Sequence, residues 1–484
     1  MPEQTGFVHE TKILIVGTGG NAISIARSLK VAGIEDFTFI SRNEEFGGTW
    51  VDARFPGAQV DQPVSLYSLS YAPNPYWSKP FPDAWELREY LAGIAAEYGL
   101  EAHAHWRVEM HDAHWDAASK RWYVDTTAGR YSAQYLVVVT GFLDEPKGVA
   151  FEGAEEYTGR VVQAARWPED FDPAGQSIVV VGSGATAVEV IPELQRSARR
   201  LVSLQRSTTY VLPKPNDLFP EELKQARAAD PRLMHVERAR AFAEQEIMDP
   251  RAMGPQIAAQ ALEFLAQEVI DLELRRGLTP DHPWLCKRPL FSNVYLRTLT
   301  RPNVSVVFDA MEAFTPNGVR TASGREIEAD AVVLTTGYHW GTHVLRRIHR
   351  GDGVSVAEHQ AGWVRAYKGT NVAGCPNMFL VGGAGPNSQH GSGLFNGEAT
   401  GPYVVLAIQE VERRGVESLE VSEEAEIAWK RRADHRNQDL PSVVGGCTNY
   451  SLDAFGNNMA VWPGTPADME YQHSHLIVED YAFA

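Results

Sequence analysis

Short apolar runs alternate with amphipathic, Ala-rich stretches over the first two hundred residues, the pattern of strands and helices taken in turn. Lys12-Ile13-Leu14-Ile15-Val16 is a fully apolar run after its lysine, as expected of a strand buried on both faces of a parallel sheet. The Ala-rich stretch that follows is predicted to be a helix stopping at Gly33, a residue type suited to the C′ position. The same arrangement returns at Ile178-Val179-Val180-Val181, with a second helix that Pro192 is expected to end or kink early. Leu201 to Gln205 predicts the next strand. From 213 to 285 the character changes to periodic Ala/Glu/Arg/Leu-rich segments such as Gln256 to Arg276, which predict a helical insertion.

Both strand-to-helix junctions carry glycines. The first reads Gly17-Thr18-Gly19-Gly20-Asn21-Ala22 and the second Gly182-Ser183-Gly184-Ala185-Thr186-Ala187. Glycine lets the backbone approach a pyrophosphate, and the helix N-terminus supplies the field that holds it. The predicted class is therefore α/β, with two Rossmann-like dinucleotide-binding domains and a helical insertion in the second. A dinucleotide domain places an acid roughly 20 residues beyond its glycines for a ribose 2′-hydroxyl, or a base for a 2′-phosphate. In the second unit that position is Arg206, followed by Ser207, 24 residues after Gly182, which points to NADPH. The equivalent position in the first unit is Ser41, an uncharged hydrogen-bonding residue, with Arg42 next to it.

A length of 484 residues calls for two or three domains. The formal charge of −18 repels phosphate backbones, so a nucleic-acid partner is not expected, and a phosphate-bearing ligand needs a local basic pocket. The three cysteines, Cys286, Cys375 and Cys447, are odd in number and far apart; they are expected to be reduced, with neither a disulfide frame nor a zinc site. The remaining histidines show no metal-ligand spacing, and His390 reads as a loop residue. No apolar run reaches the roughly 18 residues of a membrane span. The start, Met1-Pro2-Glu3-Gln4-Thr5-Gly6, shows no secretory signal, so a cytoplasmic enzyme without a membrane partner is expected.

Downstream of the first turn lies Gly48-Thr49-Trp50-Val51-Asp52-Ala53-Arg54-Phe55-Pro56-Gly57-Ala58-Gln59-Val60-Asp61. It combines Gly for close approach, an aromatic wall, a Pro-Gly turn and a terminal carboxylate. It resembles, position for position, the long fingerprint of the type I Baeyer–Villiger monooxygenases, in the flavin-containing monooxygenase superfamily. A second segment, Tyr157-Thr158-Gly159 through Gln163 to Trp167-Pro168, resembles the family's short fingerprint, with Tyr in place of Phe and Gln163 in place of its His. Gln163 hydrogen-bonds but does not titrate.

The resemblance implies FAD on the first turn and NADPH on the second, with hydride passing between them. It divides the chain into an FAD-binding domain (1–148 and 341–484), an NADP-binding domain (149–212 and 286–340) and the insertion at 213–285. It implies cofactor contacts from Ser41, Gly48, Thr49, Trp50, Asp61, Tyr67 and Met110 as well as from both glycine turns. Within Cys286-Lys287-Arg288-Pro289, it implies Lys287 on the 2′-phosphate beside Arg206 and Arg288 over the flavin. Asp61 would orient Arg288, and both are implied to be catalytic; no metal is implied. Leu136 to Gly141 and Val332 to Gly337 resemble the family's two strand-Thr-Gly exits. Pro376 to Val381 leads to Gly385-Pro386-Asn387 and a helix aimed at the flavin, and Gly445 to Gly464 resembles a mobile closing loop.

The implied reaction takes a small-molecule ketone and O2, and a flavin C4a-peroxide inserts oxygen beside the carbonyl to give an ester or lactone. An arginine suits it, because a permanent, weakly hydrated cation stabilises a developing oxyanion. An N- or S-oxidising flavin monooxygenase uses the same cofactors. Ser41 and Gln163 also leave room for an NADPH oxidase or redox module without productive oxygenation. Homo-oligomerisation is left open.

Overall fold

The computed structural model describes residues 8–147, 151–247, 250–382 and 392–484. Two sheets organise it. The first runs in the order Ile348–His349, Met110–Asp116, Arg121–Thr126, Gly129–Val138, Val8–Val16, Phe37–Ser41, Ala104–Trp106, with Met378–Leu380 also pairing to Gly129–Val138. Its centre is parallel: Ile13 pairs with both Phe37 and Tyr135, and all three are buried, as are Leu14 and Ile15. Burial from both faces accounts for the uninterrupted apolar run. The second sheet is wholly parallel, in the order Val304–Val307, Arg200–Leu204, Ser177–Val181, Ala331–Leu334, Arg160–Gln163.

The helix after the first turn spans Gly20–Val31 and ends before Gly33 (φ +76°), as expected. The helix after the second turn spans Ala185–Gln195. Pro192 does not stop it early: the helix runs three residues beyond the proline. Val188, Val190, Ile191 and Leu194 are all buried there, so packing of one face holds the segment that propensity alone would break. Ala22 and Ala187, at matching points of the two turns, are completely buried, and each lets its helix lie close to the sheet.

Between the two parts of the second sheet, four helices follow one another: Glu221–Ala229, Arg232–Ile247, Pro250–Glu268 and Leu272–Leu278. They do not stand apart from the first sheet's surroundings. Arg238 pairs with Glu398 at 2.7 Å, and Phe242 packs on Phe395 with ring centroids 5.4 Å apart. Among the described residues no helix is long and apolar enough to cross a membrane. His390 and Gly385-Pro386-Asn387 lie outside the described residues; the helix beyond them spans Phe395–Arg414.

The expectation of reduced cysteines is corrected. Cys286 and Cys447 form a disulfide across 161 residues of sequence, while Cys375 is free and buried. Spacing along the chain carried no sign of the pair, because folding brings the loop at 445–450 back against the segment at 286–288.

Candidate active site

The two glycine turns face one cavity of about 1890 Å³. This exceeds the ~300–1,000 Å³ of a site for one drug-sized ligand, and suits two dinucleotides lying together. The turns are built alike. Gly17 donates to Ile40 O and Gly182 to Leu204 O, each at 3.0 Å. Val139 donates to Val16 O (2.8 Å) and Thr335 to Val181 O (2.9 Å), so each strand-Thr-Gly exit lies beside its turn. Neither helix has a side-chain cap or an acid in its first turn. Their first N–H groups are thus left for an anion, the arrangement a pyrophosphate needs.

The fingerprint from Gly48 to Asp61 joins the two units physically. Gly48 (φ 55°, ψ −120°) sits where a side chain would come within 2.7 Å of the Gly19 Cα. Only glycine tolerates that conformation and that approach. Gly57 (φ +81°) lies at the other end, where an added Cβ would be 2.5 Å from the Glu189 carbonyl in the second turn's helix. The Pro-Gly turn is therefore the point at which the fingerprint meets the second unit. Trp50, half-buried, donates to the Tyr67 hydroxyl at 3.2 Å and meets its ring edge-on, and both line the cavity. Burial raises the Tyr67 pKa above its ordinary value, so it remains a phenol.

Asp61 ends the segment and receives both Arg288 Nε (2.8 Å) and Nη2 (2.6 Å) on Oδ2, across 227 residues of sequence. Tyr450 lies near the guanidinium on the cavity wall. The charge of Asp61 raises the Arg288 pKa and outweighs the partial desolvation of the cavity wall, so the guanidinium is a fixed cation. Its exposed surface, 43% of the side chain, faces the cavity. Lys287 and Arg206 both line that cavity too. The Lys287 pKa is lowered by burial first and also by the neighbouring charge of Arg206, with Asp281 opposing. Two cations held together in a wall suit a multivalent anion.

Around the first turn, Ser41 is buried and its Oγ accepts from Thr18 Oγ1 (2.9 Å) and the Asn43 amide (3.2 Å). Its own hydroxyl proton remains available to a ribose oxygen. Arg42 is taken up by Asp52 (2.8 Å) and by Asp144, which also receives His343 at 2.8 Å. Two carboxylates on one arginine leave no net positive charge there, so this turn does not favour a 2′-phosphate. Burial pushes the Asp144 carboxyl up, but His343 and Arg42 outweigh it and hold it below its ordinary value. Asn21 accepts from the Gly397 amide at 2.9 Å, fixing the turn to the start of the long helix at 395–414. Thr49, Met110 and Thr186 line the cavity as well, and Ser207 accepts the Ser183 hydroxyl through its carbonyl. Thr140 Oγ1, Trp340 Nε1 and His343 Nδ1 are buried at its edge with no protein partner, so the wall has polar atoms to offer a ligand.

Two features escaped the sequence reading. Glu189 and Lys214 form a largely buried pair at 3.1 Å, and Lys214 also reaches Gln59 of the fingerprint at 3.0 Å. Burial pushes the Glu189 carboxyl up to about 7, with Lys214 opposing and Asp61 adding to the rise. The folded protein thus holds this proton more tightly than the unfolded chain. The stability it contributes is full below the ordinary carboxylate range and lost as pH rises through about 7. Glu189→Gln is expected to flatten the fall in Tm between about pH 5 and pH 8; an unchanged slope in thermal melts refutes it. The second feature is a cluster of Asp112, His114 and His349, whose ligand atoms lie within 4.8 Å of one another. The two imidazoles are stacked at 4.3 Å and His349 pairs with Asp112 at 3.1 Å, so the cluster packs the edge of the first sheet, apart from the cavity.

In the short fingerprint, Tyr157 donates to Ala329 O at 2.9 Å and covers Gly159, where a Cβ would meet its hydroxyl at 2.3 Å. Gln163 donates to Lys147 O at 3.1 Å, on the crossing between the two sheets, while its Oε1 is buried without a partner.

The pattern of the pyridine nucleotide-disulphide oxidoreductase family matches residues 14–216. A Baeyer–Villiger monooxygenase of Streptomyces coelicolor is 32% identical over 98% of this chain and 93% of its own. Another, of Pseudomonas aeruginosa, is 30% identical over 94% and 88%. In fold, a closed crystal structure of cyclohexanone monooxygenase superposes with a TM-score of 0.88, covering 99% of this chain and all of that one at 23% identity. The chain belongs to the Baeyer–Villiger monooxygenase family and is an FAD- and NADPH-dependent flavoprotein monooxygenase.

Proposed function

We propose that this enzyme uses NADPH and O2 to convert a ketone into an ester or lactone, with Arg288 and Asp61 as its catalytic residues. The observation that supports the reading most is the Asp61–Arg288 pair in the cavity wall between the two turns. FAD is proposed to lie along the first turn, Ser41, Trp50, Tyr67 and Met110, and NADPH along the second, with Arg206 and Lys287 on its 2′-phosphate. The domain division expected from the family, 1–148 with 341–484 and 149–212 with 286–340 around the insertion at 213–285, belongs to the same proposal. Crystal structures of the same fold hold NADP+ in one case, and FAD with NADP in another.

FAD held along the first turn would supply the redox chemistry that activates O2 with electrons from NADPH. The protein's part is electrostatic. Arg288 places a permanent cation beside the ketone oxygen as negative charge develops on it, and Asp61 fixes the direction of the guanidinium fork. The overall balance is ketone, O2, NADPH and a proton to ester, water and NADP+. An N- or S-oxidation needs no such stabilised oxyanion, so the paired arginine favours the ketone. A panel of cyclic and aryl ketones and sulfides tests the assignment: esters or lactones are expected, and sulfoxides with no ester from any ketone would overturn it.

Arg206→Ala and Lys287→Ala are each expected to raise KM for NADPH by about 10–100-fold, the scale of one lost charge-assisted hydrogen bond, while KM for NADH changes little. Equal losses for both nucleotides, measured in NADPH- and NADH-oxidation kinetics, would place these cations elsewhere.

A further inference from the structure

We propose that Cys286 and Cys447 form a thiol–disulfide modification site that sets the position of the closing loop over the cavity, with a dithiol as its reductant. The cysteines come from the two segments that shape this wall. Cys286 is buried and immediately precedes Lys287 and Arg288; Cys447 is half-buried in the loop. Their Cα atoms lie 6.1 Å apart, within the reach of a disulfide. Gly445 seats the loop on Cys286: an added Cβ there would lie 2.5 Å from the Cys286 Sγ and 2.4 Å from the Pro441 carbonyl. Asn449 donates to Ser442 O at 2.8 Å and lies 3.8 Å from the Cys447 sulfur, which holds the turn around that residue.

Three residues beyond Cys447, Tyr450 stacks on Trp340 at 4.5 Å, and Trp340 stacks on Phe142 at 4.3 Å. Tyr450 and Arg288 both line the cavity, and Tyr450 is close enough to the guanidinium to help raise its pKa. The same loop therefore carries a covalent tie to Cys286 and, three residues later, the aromatic ring that lies beside the cation at 288. Oxidised, the pair holds Tyr450 against Arg288. Reduced, the stretch at 445–450 keeps the stacking of Tyr450 and the bond from Asn449 to Ser442 O, while the chain beyond it stays anchored through Asp453 on Lys430, the Ala454 amide on Gly362 O and Asn437 on Val461 O, so the loosening is confined to the glycines at 445 and 446 and their neighbours.

Differential access sets the chemistry. A thiolate of the reductant attacks Cys447 Sγ, the more accessible sulfur, and a mixed disulfide forms as the Cys286–Cys447 bond breaks. Cys286 Sγ leaves as a thiolate and takes up a proton. The reductant's second thiol then closes its own disulfide and releases Cys447 as a thiol. Two electrons and two protons pass from the dithiol to the protein. Cys375 takes no part, since it is buried in the core of the first sheet, where burial pushes its thiol pKa well up.

The loop's role in nucleotide and ketone turnover rests on the proposed function; its tethering does not. The test uses FAD-loaded enzyme purified without reductant, treated with iodoacetamide and digested without reduction, then compared with enzyme titrated with dithiothreitol. A cross-linked Cys286–Cys447 peptide is expected before reduction, and carbamidomethyl groups on both after it. Limited proteolysis within 440–464 is expected to accelerate several-fold on reduction, and KM for NADPH to rise several-fold. Cys286→Ser and Cys447→Ser should show the reduced behaviour without added dithiol and respond to it no further. Both thiols labelled before reduction, or proteolysis and KM unmoved by reduction, would overturn the proposal. Labelling and proteolysis that follow the prediction in an enzyme forming no ester would instead strike the proposed function and leave this site standing.

Discussion

Arg288→Ala is expected to lower ester formation by about 100–1,000-fold, the scale of removing one fixed charge from a site where an oxyanion develops. NADPH oxidation should survive far better, so the ratio of ester to NADPH consumed collapses. The reason lies in what Arg288 touches: one carboxylate oxygen of Asp61 through two of its nitrogens, and the cavity. Arg288→Lys should not restore the rate, since one ammonium cannot keep the two-point contact with Asp61 while facing the substrate. Asp61→Asn should leave the cation but free its orientation, giving a smaller loss in the same direction. Product and NADPH measured together decide the matter. Ester formation equal to the parent enzyme in Arg288→Ala removes this residue from the chemistry.

Gly48→Ala is expected to strip the enzyme of flavin. The new Cβ would stand 2.7 Å from the Gly19 Cα, in a backbone conformation (φ 55°, ψ −120°) that side chains avoid. Relief requires moving the first turn itself, at a cost of about 1–3 kcal/mol. The displaced turn is the one whose helix offers uncapped N–H groups to the pyrophosphate. The flavin absorbance of purified protein and its Tm, with and without added FAD, measure the effect. Full flavin content at an unchanged Tm would show that this glycine pair does not shape the cofactor site.

Much of this arrangement is legible along the chain because its local rules are strict. A buried parallel strand needs an unbroken apolar run, a dinucleotide turn needs glycine and a small residue, and both recur at 12–22 and 178–187. The fingerprint's residue types are likewise set by close approach: Gly48 on Gly19, Gly57 on Glu189. What the chain conceals is pairing between distant segments. Nothing near Cys286 announces Cys447, and nothing near Arg42 announces Asp144, because those contacts arise only when two sheets and a returning loop share one cavity. Lys214 against Glu189 is of the same kind, a charged pair whose burial depends on the fingerprint lying across it. Pro192 shows the converse, where a strong local signal yields to packing on the second sheet.

Oxygen labelling tests the central claim most directly. FAD-loaded enzyme, NADPH and a ketone that it consumes, incubated under 18O2, should yield an ester or lactone carrying one 18O atom, with one NADPH oxidised per ester formed. NADPH oxidised with hydrogen peroxide as the matching product, and no labelled ester from any ketone, would contradict it.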